Sequence, residues 1–264
     1  ALLAPTPGMY RMTQELVGSH DLDKLGIKTL FVTSGYLSEP MRSHLQNIWN
    51  ADVYTHYGMT EMGLGVAIEC HAHNGYHFNE VDLLLEVIDP DTGEVITDNR
   101  EGELVFTTLS REGTPLIRYR THDIAHFITK PCSCGATTLL KFGKVTRRLE
   151  SIVKIGGEYE IYPSLFDELL YIVPEVADYQ VNLNRIDGKD HLTLVVEVTE
   201  MADSVREEIR KILSTLPLIQ RIVSSGRMAK PELELVGSGH FKGGGRAKKM
   251  ITVQTQSEDG TWLK

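Results

Sequence analysis

Between residues 29 and 51 the repeat of apolar positions changes period, and that change outlines the first unit of the fold. Thr29-Leu30-Phe31-Val32 reads as a short buried strand, and Met41, Leu45, Ile48 and Trp49 then recur on one helix face over residues 39–51. The intervening Thr33-Ser34-Gly35-Tyr36 leaves the carboxyl end of that strand, where open α/β sheets tend to place ligands. Further on, residues 81–89 and 103–108 read as strands around a turn at Asp89-Pro90-Asp91-Thr92-Gly93.

Beyond residue 147 the pattern gives a strand near Ile152, a helix over 163–172, and strands over 179–186 and 191–198 joined through Asp187-Gly188. A helix with Val205, Ile209, Ile212 and Leu216 on one face follows, then a strand over 232–236. That βαββαβ order predicts a small two-layer α+β unit after a larger α/β one, so the fold class is α/β plus α+β. The expected division is 1–146 and 147–264. The Gly- and Lys-rich stretch over 237–249 reads as a flexible loop with a basic end.

Composition narrows the function. With 264 residues and 41% apolar content the chain can bury a substantial core. Its 27 Lys+Arg against 36 Asp+Glu leave a net charge of −9, which argues against nucleic acid or an anionic membrane as the main partner. No apolar run approaches the roughly 20 residues needed to cross a bilayer, and the start has no signal-peptide pattern, so the expected setting is cytoplasmic. The chain opens on Ala1 within a hydrophobic stretch, from which an upstream segment is expected.

Tyr57-Gly58-Met59-Thr60-Glu61 follows a strand-like segment over 52–55. It offers what a nucleotide site needs: an aromatic face, a glycine for close backbone approach, a hydroxyl for a phosphate oxygen, and a carboxylate for Mg²⁺. Taken alone, it is equally a polar loop with a capping Thr and a surface Glu. A second run leads from Gly102-Glu103-Leu104 through Pro115-Leu116-Ile117-Arg118-Tyr119-Arg120-Thr121 to Asp123, a carboxylate suited to ribose hydroxyls. Arg118 and Arg120 are also placed to pair with nearby carboxylates.

Read together, Y-G-x-T-E, G-E-L-x-x-T-x-L and P-L-I-R-Y-R-T-x-D, in that order and at these separations, resemble the adenylate-forming superfamily. The wording P-L-I-R-Y-R-T is most similar to its phenylacetate–CoA ligase branch. The resemblance implies that residues 1–146 correspond to the C-terminal part of the large AMP-binding domain and 147–264 to the small mobile domain. It implies ATP, Mg²⁺ and coenzyme A as ligands, with Tyr57 against adenine, Gly58 and Met59 in the same motif, Thr60 and Glu61 serving phosphates and metal, and Asp123 holding ribose. Ser34 and Gly35 match the segment lining the adenine and acyl pocket, with Tyr36 where many relatives carry Glu. Thr146-Arg147-Arg148-Leu149-Glu150 resembles the hinge motif G-R-x-D-D, with Arg147 as its arginine and Glu150 standing in for its second acid.

The chain also departs from the pattern. Nothing before Tyr57 resembles the family's Gly/Ser/Thr-rich phosphate loop, so ATP binding by this stretch alone is expected to be crippled. Where the family ends in G-K-x-x-R, Gly245-Arg246-Ala247-Lys248-Lys249 puts arginine in the lysine's slot, with Lys248 as a second candidate cation.

Cys70, His77, Cys132 and Cys134 have the composition of a Cys₃His zinc site, with His71 and His73 as rival ligands and free buried thiols as the alternative. The expected reaction is ATP-dependent activation of an aryl or arylacetic carboxylate as acyl-adenylate, followed by transfer to coenzyme A. Alternatives are a truncated, non-catalytic nucleotide-binding fragment, half of a split enzyme, or adenylation of a different acceptor such as a deazaflavin hydroxyl. Expected partners are a small-molecule carboxylate, ATP and coenzyme A, without nucleic acid or membrane, and with a homodimer among the compatible assemblies.

Overall fold

A computed structural model describes residues 1–241, 251–256 and 262–263. The chain begins with β1 (Leu2–Pro5), α1 (Thr6–Leu16), β2 (Thr29–Thr33), α2 (Glu39–Trp49) and β3 (Asp52–Met59). It continues through β4 (Gly63–Glu69), β5 (Tyr76–Phe78), β6 (Leu83–Ile88), β7 (Gly102–Thr108), β8 (Tyr119–Ala125), β9 (Lys141–Phe142) and β10 (Arg147–Arg148). There follow β11 (Val153–Ile155), β12 (Tyr159–Ile161), α3 (Pro163–Leu170), β13 (Val176–Ile186), β14 (Lys189–Val198), α4 (Asp203–Thr215) and α5 (Pro217–Ser224). The last strands are β15 (Glu232–Gly237), β16 (Ile251–Gln256) and β17 (Trp262–Leu263).

The strands form a mixed six-stranded sheet ordered β1-β2-β3-β4-β5-β9, a four-stranded sheet β10-β8-β7-β6, a β11-β12 ribbon and a five-stranded sheet β15-β14-β13-β16-β17. In the first sheet β1, β2 and β3 run parallel, and the direction reverses at the β3–β4 hairpin. This is the expected α/β plus α+β class. Residues 1–16, α5 and the final strands carry regular structure that the apolar spacing had not outlined.

Local chemistry accounts for the boundaries. α2 starts at Ser38, whose hydroxyl accepts from the Met41 amide at 3.4 Å, and stops at Asn50, which takes a left-handed conformation (φ 46°). The β13–β14 hairpin turns at Asp187-Gly188 with positive φ at both residues, as a two-residue hairpin requires. Leu45 is fully buried, and truncating such a side chain to alanine costs about 2–5 kcal/mol.

One apolar cluster joins Met9 and Tyr10 of α1, the inner face of α2 and β2 to α3, α4, α5, β13 and β14; a second lies beneath β4 to β8. The first cluster therefore crosses residue 147. At that crossing the Tyr10 and Tyr171 rings meet edge-on at 4.8 Å. Two part-buried polar links accompany them: Arg11 to Glu197 at 2.8 Å, and the Tyr36 hydroxyl to Glu168 at 2.7 Å.

Candidate functional site

Tyr57, Gly58 and Met59 lie on β3, which runs past the expected end at Thr55 because β4 folds back and supplies ladder partners, Tyr57 opposite Ala67 and Met59 opposite Gly63. A bulge separates these pairs, and a Cβ on Gly58 would stand 2.9 Å from the Gly63 carbonyl oxygen. The close approach that selects glycine here is made by the neighbouring strand. Thr60 and Glu61 sit exposed at the hairpin tip. Arg111 clamps that tip by donating to the Glu61 and Met62 carbonyls, a role that no sequence motif advertised.

Asp123 lies within β8 and is 5% exposed. Its Oδ2 accepts from the Tyr57 hydroxyl at 2.8 Å, and its Oδ1 is ion-paired with Arg148 Nε at 2.9 Å. Thr121 Oγ1 faces the Asp123 amide at 3.1 Å. The backbone before Asp123 is re-aimed by a register shift in the β7–β8 ladder and by His122, which holds φ 63°. Burial, reinforced by the Asp123 charge, raises the Tyr57 phenol well above its usual pKa, so this hydroxyl stays a donor.

In the hinge-like segment the two arginines part company. Arg148 reaches Asp123, whereas Arg147 is paired with Glu101 and stands 3.6 Å from Glu160. The cause is β10: pairing places Arg148 directly opposite Asp123, and the alternation of side chains along a strand sends Arg147 to the other face. Glu150, in the 3₁₀ turn over Leu149–Ser151, faces His122 Nδ1 at 3.4 Å. Arg118 and Arg120 take the plain structural role, paired with Glu86 and Glu103.

Ser34 adopts φ 55° beyond the end of β2, and Gly35 gives its carbonyl to the buried Thr6 hydroxyl at 3.2 Å. Tyr36 turns toward α3. Its hydroxyl donates to Glu168, which also accepts from the Glu39 amide at 3.1 Å. Burial and this carboxylate push the Tyr36 phenol far up in pKa. Arg246 and Lys248 lie outside the described residues.

Cys70, His77, Cys132 and Cys134 converge, their ligand atoms all within 4.8 Å of one another. Cys70 and Cys132 Sγ are 3.5 Å apart, and Cys134 Sγ is 3.3 Å from His77 Nε2. His73 is drawn away, with its Nδ1 3.4 Å from Glu69 and 3.1 Å from Arg42. Pairing of β5 with β9 brings the His77 strand beside the Cys132 loop, and Gly75 (φ 121°) permits it, since a Cβ there would meet the Phe142 carbonyl at 2.3 Å. Backbone hydrogen bonding is the main cause that holds the Cys132 thiol down at about 5, while burial pushes the Cys70 thiol up.

No protein-family model matches the chain. It is 39% identical over 147 residues to a phenylacetate-coenzyme A ligase of Thermus thermophilus, across 54% of this chain and 33% of that protein. A Pseudomonas putida protein of the same name is 32% identical over 201 residues, across 75% of this chain and 44% of the relative. By sequence, the chain is a homologue of the phenylacetate–CoA ligases. It spans less than half the length of the curated relatives it matches. Its fold is that of the adenylate-forming CoA ligases. A crystal structure of 2-hydroxyisobutyryl-CoA ligase in the postadenylation state, in complex with 2-HIB-AMP, superposes with a TM-score of 0.77 at 21% identity, covering 95% of this chain and 54% of that one. The thioesterification state of the same ligase, with CoA, gives 0.52. Among the described residues no helix is long and apolar enough to cross a membrane.

Proposed function

We propose that this chain carries nucleotide-handling residues of an ATP-dependent acid–thiol ligase that activates an aryl or arylacetic carboxylate and passes the acyl group to coenzyme A. The observation that carries the reading is the Tyr57–Asp123–Arg148 arrangement, in which motifs far apart in sequence converge on one buried carboxylate. Homology to phenylacetate–CoA ligases supports the reaction class.

In this reading Asp123 accepts hydrogen bonds from ribose hydroxyls and the Tyr57 ring lies against adenine. Because Tyr57 and Arg148 already fix the carboxylate, little reorganisation is needed when the nucleoside arrives. Ser34 and Gly35 border the adenine and acyl pocket, beside Gly58 and Met59. Thr60 meets phosphate oxygens, and Glu61 is the carboxylate for Mg²⁺, which when bound would neutralise polyphosphate charge. The substrate carboxylate oxygen attacks the α-phosphorus and pyrophosphate departs. The coenzyme A sulfur then attacks the acyl carbon, AMP departs, and the thiol proton goes to solvent. Arg246, with Lys248 beside it, is the proposed cation at the reacting phosphate, and Arg147 with Glu150 belong to the hinge between proposed domains 1–146 and 147–264.

The thiol cluster fits a structural zinc ion. A tetrahedral site with zinc–sulfur bonds of about 2.3 Å needs sulfur–sulfur separations of about 3.8 Å, close to the 3.5 Å between Cys70 and Cys132. Cys70, His77, Cys132 and Cys134 would hold the ion, which would fasten the loop after β4 to the loop before β9. Reduced thiols suit a cytoplasmic setting.

The test is carboxylate-dependent exchange of pyrophosphate into ATP by the chain in its native polypeptide, across a panel of arylacetic and benzoic acids, with coenzyme A consumption followed in parallel. Exchange and thioester formation support the reading. Exchange without coenzyme A consumption points to another acceptor, and no exchange with any acid sinks it.

A further inference from the structure

Lys141 is 5% exposed, and among the described residues it forms no ion pair with a carboxylate. An ammonium group buried without an anion is costly, so its neighbours must supply the missing charge. Its Nζ donates to Asn74 Oδ1 and lies 3.3 Å from Cys132 Sγ. On the β5–β9 ladder Lys141 stands directly opposite His77. Asn74 belongs to the loop between Cys70 and His77, so one ammonium bridges both cysteine-bearing loops.

Charge bookkeeping gives this placement a purpose. A dication with three thiolates and a neutral imidazole carries a net charge of −1, and Lys141 brings the assembly to zero. A metal-bound histidine usually donates its second nitrogen to an acceptor. Here His77 Nδ1 is buried without a hydrogen-bond partner among the described residues. Outer support therefore comes from the sulfur side: the Ala136 amide donates to Cys134 Sγ at 3.4 Å, and Lys141 donates to Cys132.

We propose that Lys141 is the outer-sphere counter-cation of a Cys₃His zinc centre, placed by β9 to neutralise the centre and to donate an N–H···S hydrogen bond to Cys132. The proposal rests on the zinc reading above. As a positioning residue, Lys141 tightens metal retention without touching the ion, and it quiets the thiolate it faces. Loss of the charge unbalances the buried centre even where a hydrogen-bond donor remains.

Zinc affinity is measured by competition with a chromophoric chelator for wild type, Lys141→Arg, Lys141→Gln and Lys141→Met, with iodoacetamide alkylation of the zinc-loaded proteins followed by mass spectrometry. Wild type and Lys141→Arg are expected to hold zinc tightly. Lys141→Gln and Lys141→Met are expected to bind about 10- to 100-fold more weakly, the usual effect of removing an outer-sphere partner. Faster alkylation of Cys132 in those two variants is the signature of a bared thiolate. Zinc bound equally by wild type and Lys141→Gln overturns the role of Lys141 and leaves the zinc reading standing; no zinc in wild type removes both. On wild-type protein alone, amine acetylation of Lys141 is expected to rise when zinc is stripped by chelation, and unchanged labelling counts against the proposal even if the neutral variants fold poorly.

Discussion

The Tyr57 hydroxyl donates to the Asp123 carboxylate over 2.8 Å and so ties β3 of the six-stranded sheet to β8 of the four-stranded one. Removing it in Tyr57→Phe takes a hydrogen bond from a buried charge, and the expected stability loss is about 1.5–3 kcal/mol. Asp123→Ala is expected to weaken binding of an ATP analogue by about 2–3 kcal/mol, the scale of charge-assisted hydrogen bonds. Urea denaturation and calorimetric titration read the two effects. Equal nucleotide affinity in wild type and Asp123→Ala would remove Asp123 from the site.

Glu61 is exposed at the tip of a hairpin held by Arg111, so its carboxylate contributes little to the fold. Glu61→Gln should leave the unfolding midpoint within the range of ordinary surface substitutions, about 0.5 kcal/mol, while greatly reducing Mg²⁺-dependent pyrophosphate exchange. A variant that exchanges as wild type does would cancel the metal role. Arg111→Ala is the complement: it frees the tip and is expected to lower exchange without changing any proposed ligand.

Glu197 is fully buried and gathers Arg11 at 2.8 Å with the amides of Gly239 and Phe241 at 2.8 and 2.9 Å, while Arg11 also donates to the Phe241 carbonyl at 3.1 Å. This cluster pins the chain just before residues 242–250 onto α1. Arg11→Met leaves that carboxylate without its cationic partner, and breaking a buried pair in this way costs about 3–5 kcal/mol. Hydrogen exchange at the Gly239 and Phe241 amides should accelerate with the loss. Unchanged exchange would show that Arg11 does not hold the segment.

His44 and His56 both have their pKa lowered by burial, so the folded protein favours their neutral forms. The unfolded chain then binds more protons between the depressed folded pKa and the ordinary value near 6.5. Their contribution to stability is full above that ordinary value and is lost as pH falls through it toward the folded pKa. His56→Phe, which keeps an aromatic ring against Phe31, is expected to flatten the decline in stability between pH 7.5 and 5.5. A slope identical to wild type in chemical denaturation would rule His56 out as a contributor.

The periodic elements were legible because each reports a local rule. The α2 face at Met41, Leu45 and Trp49 and the Asp187-Gly188 turn depend on residues a few positions apart, and the fold uses them as read. The Tyr57 and Asp123 motifs were also visible, and so were the four members of the thiol cluster.

What the sequence by itself determined is the inventory: the elements with strong periodicity, the fold class, the relationship to phenylacetate–CoA ligases, and the residue types capable of chemistry. Tertiary structure alone decided which of them meet. It brought Arg148 to Asp123 and turned Arg147 away because adjacent residues on β10 face opposite sides, and it chose His77 over His73 because Glu69 and Arg42 hold His73 elsewhere. It set Gly58 against Gly63, Arg111 on the hairpin tip and Lys141 beside Cys132 through pairings of strands and loops. The physical reason is that hydrophobic period is a property of neighbouring residues, whereas ladder register and burial are fixed only when distant segments pack.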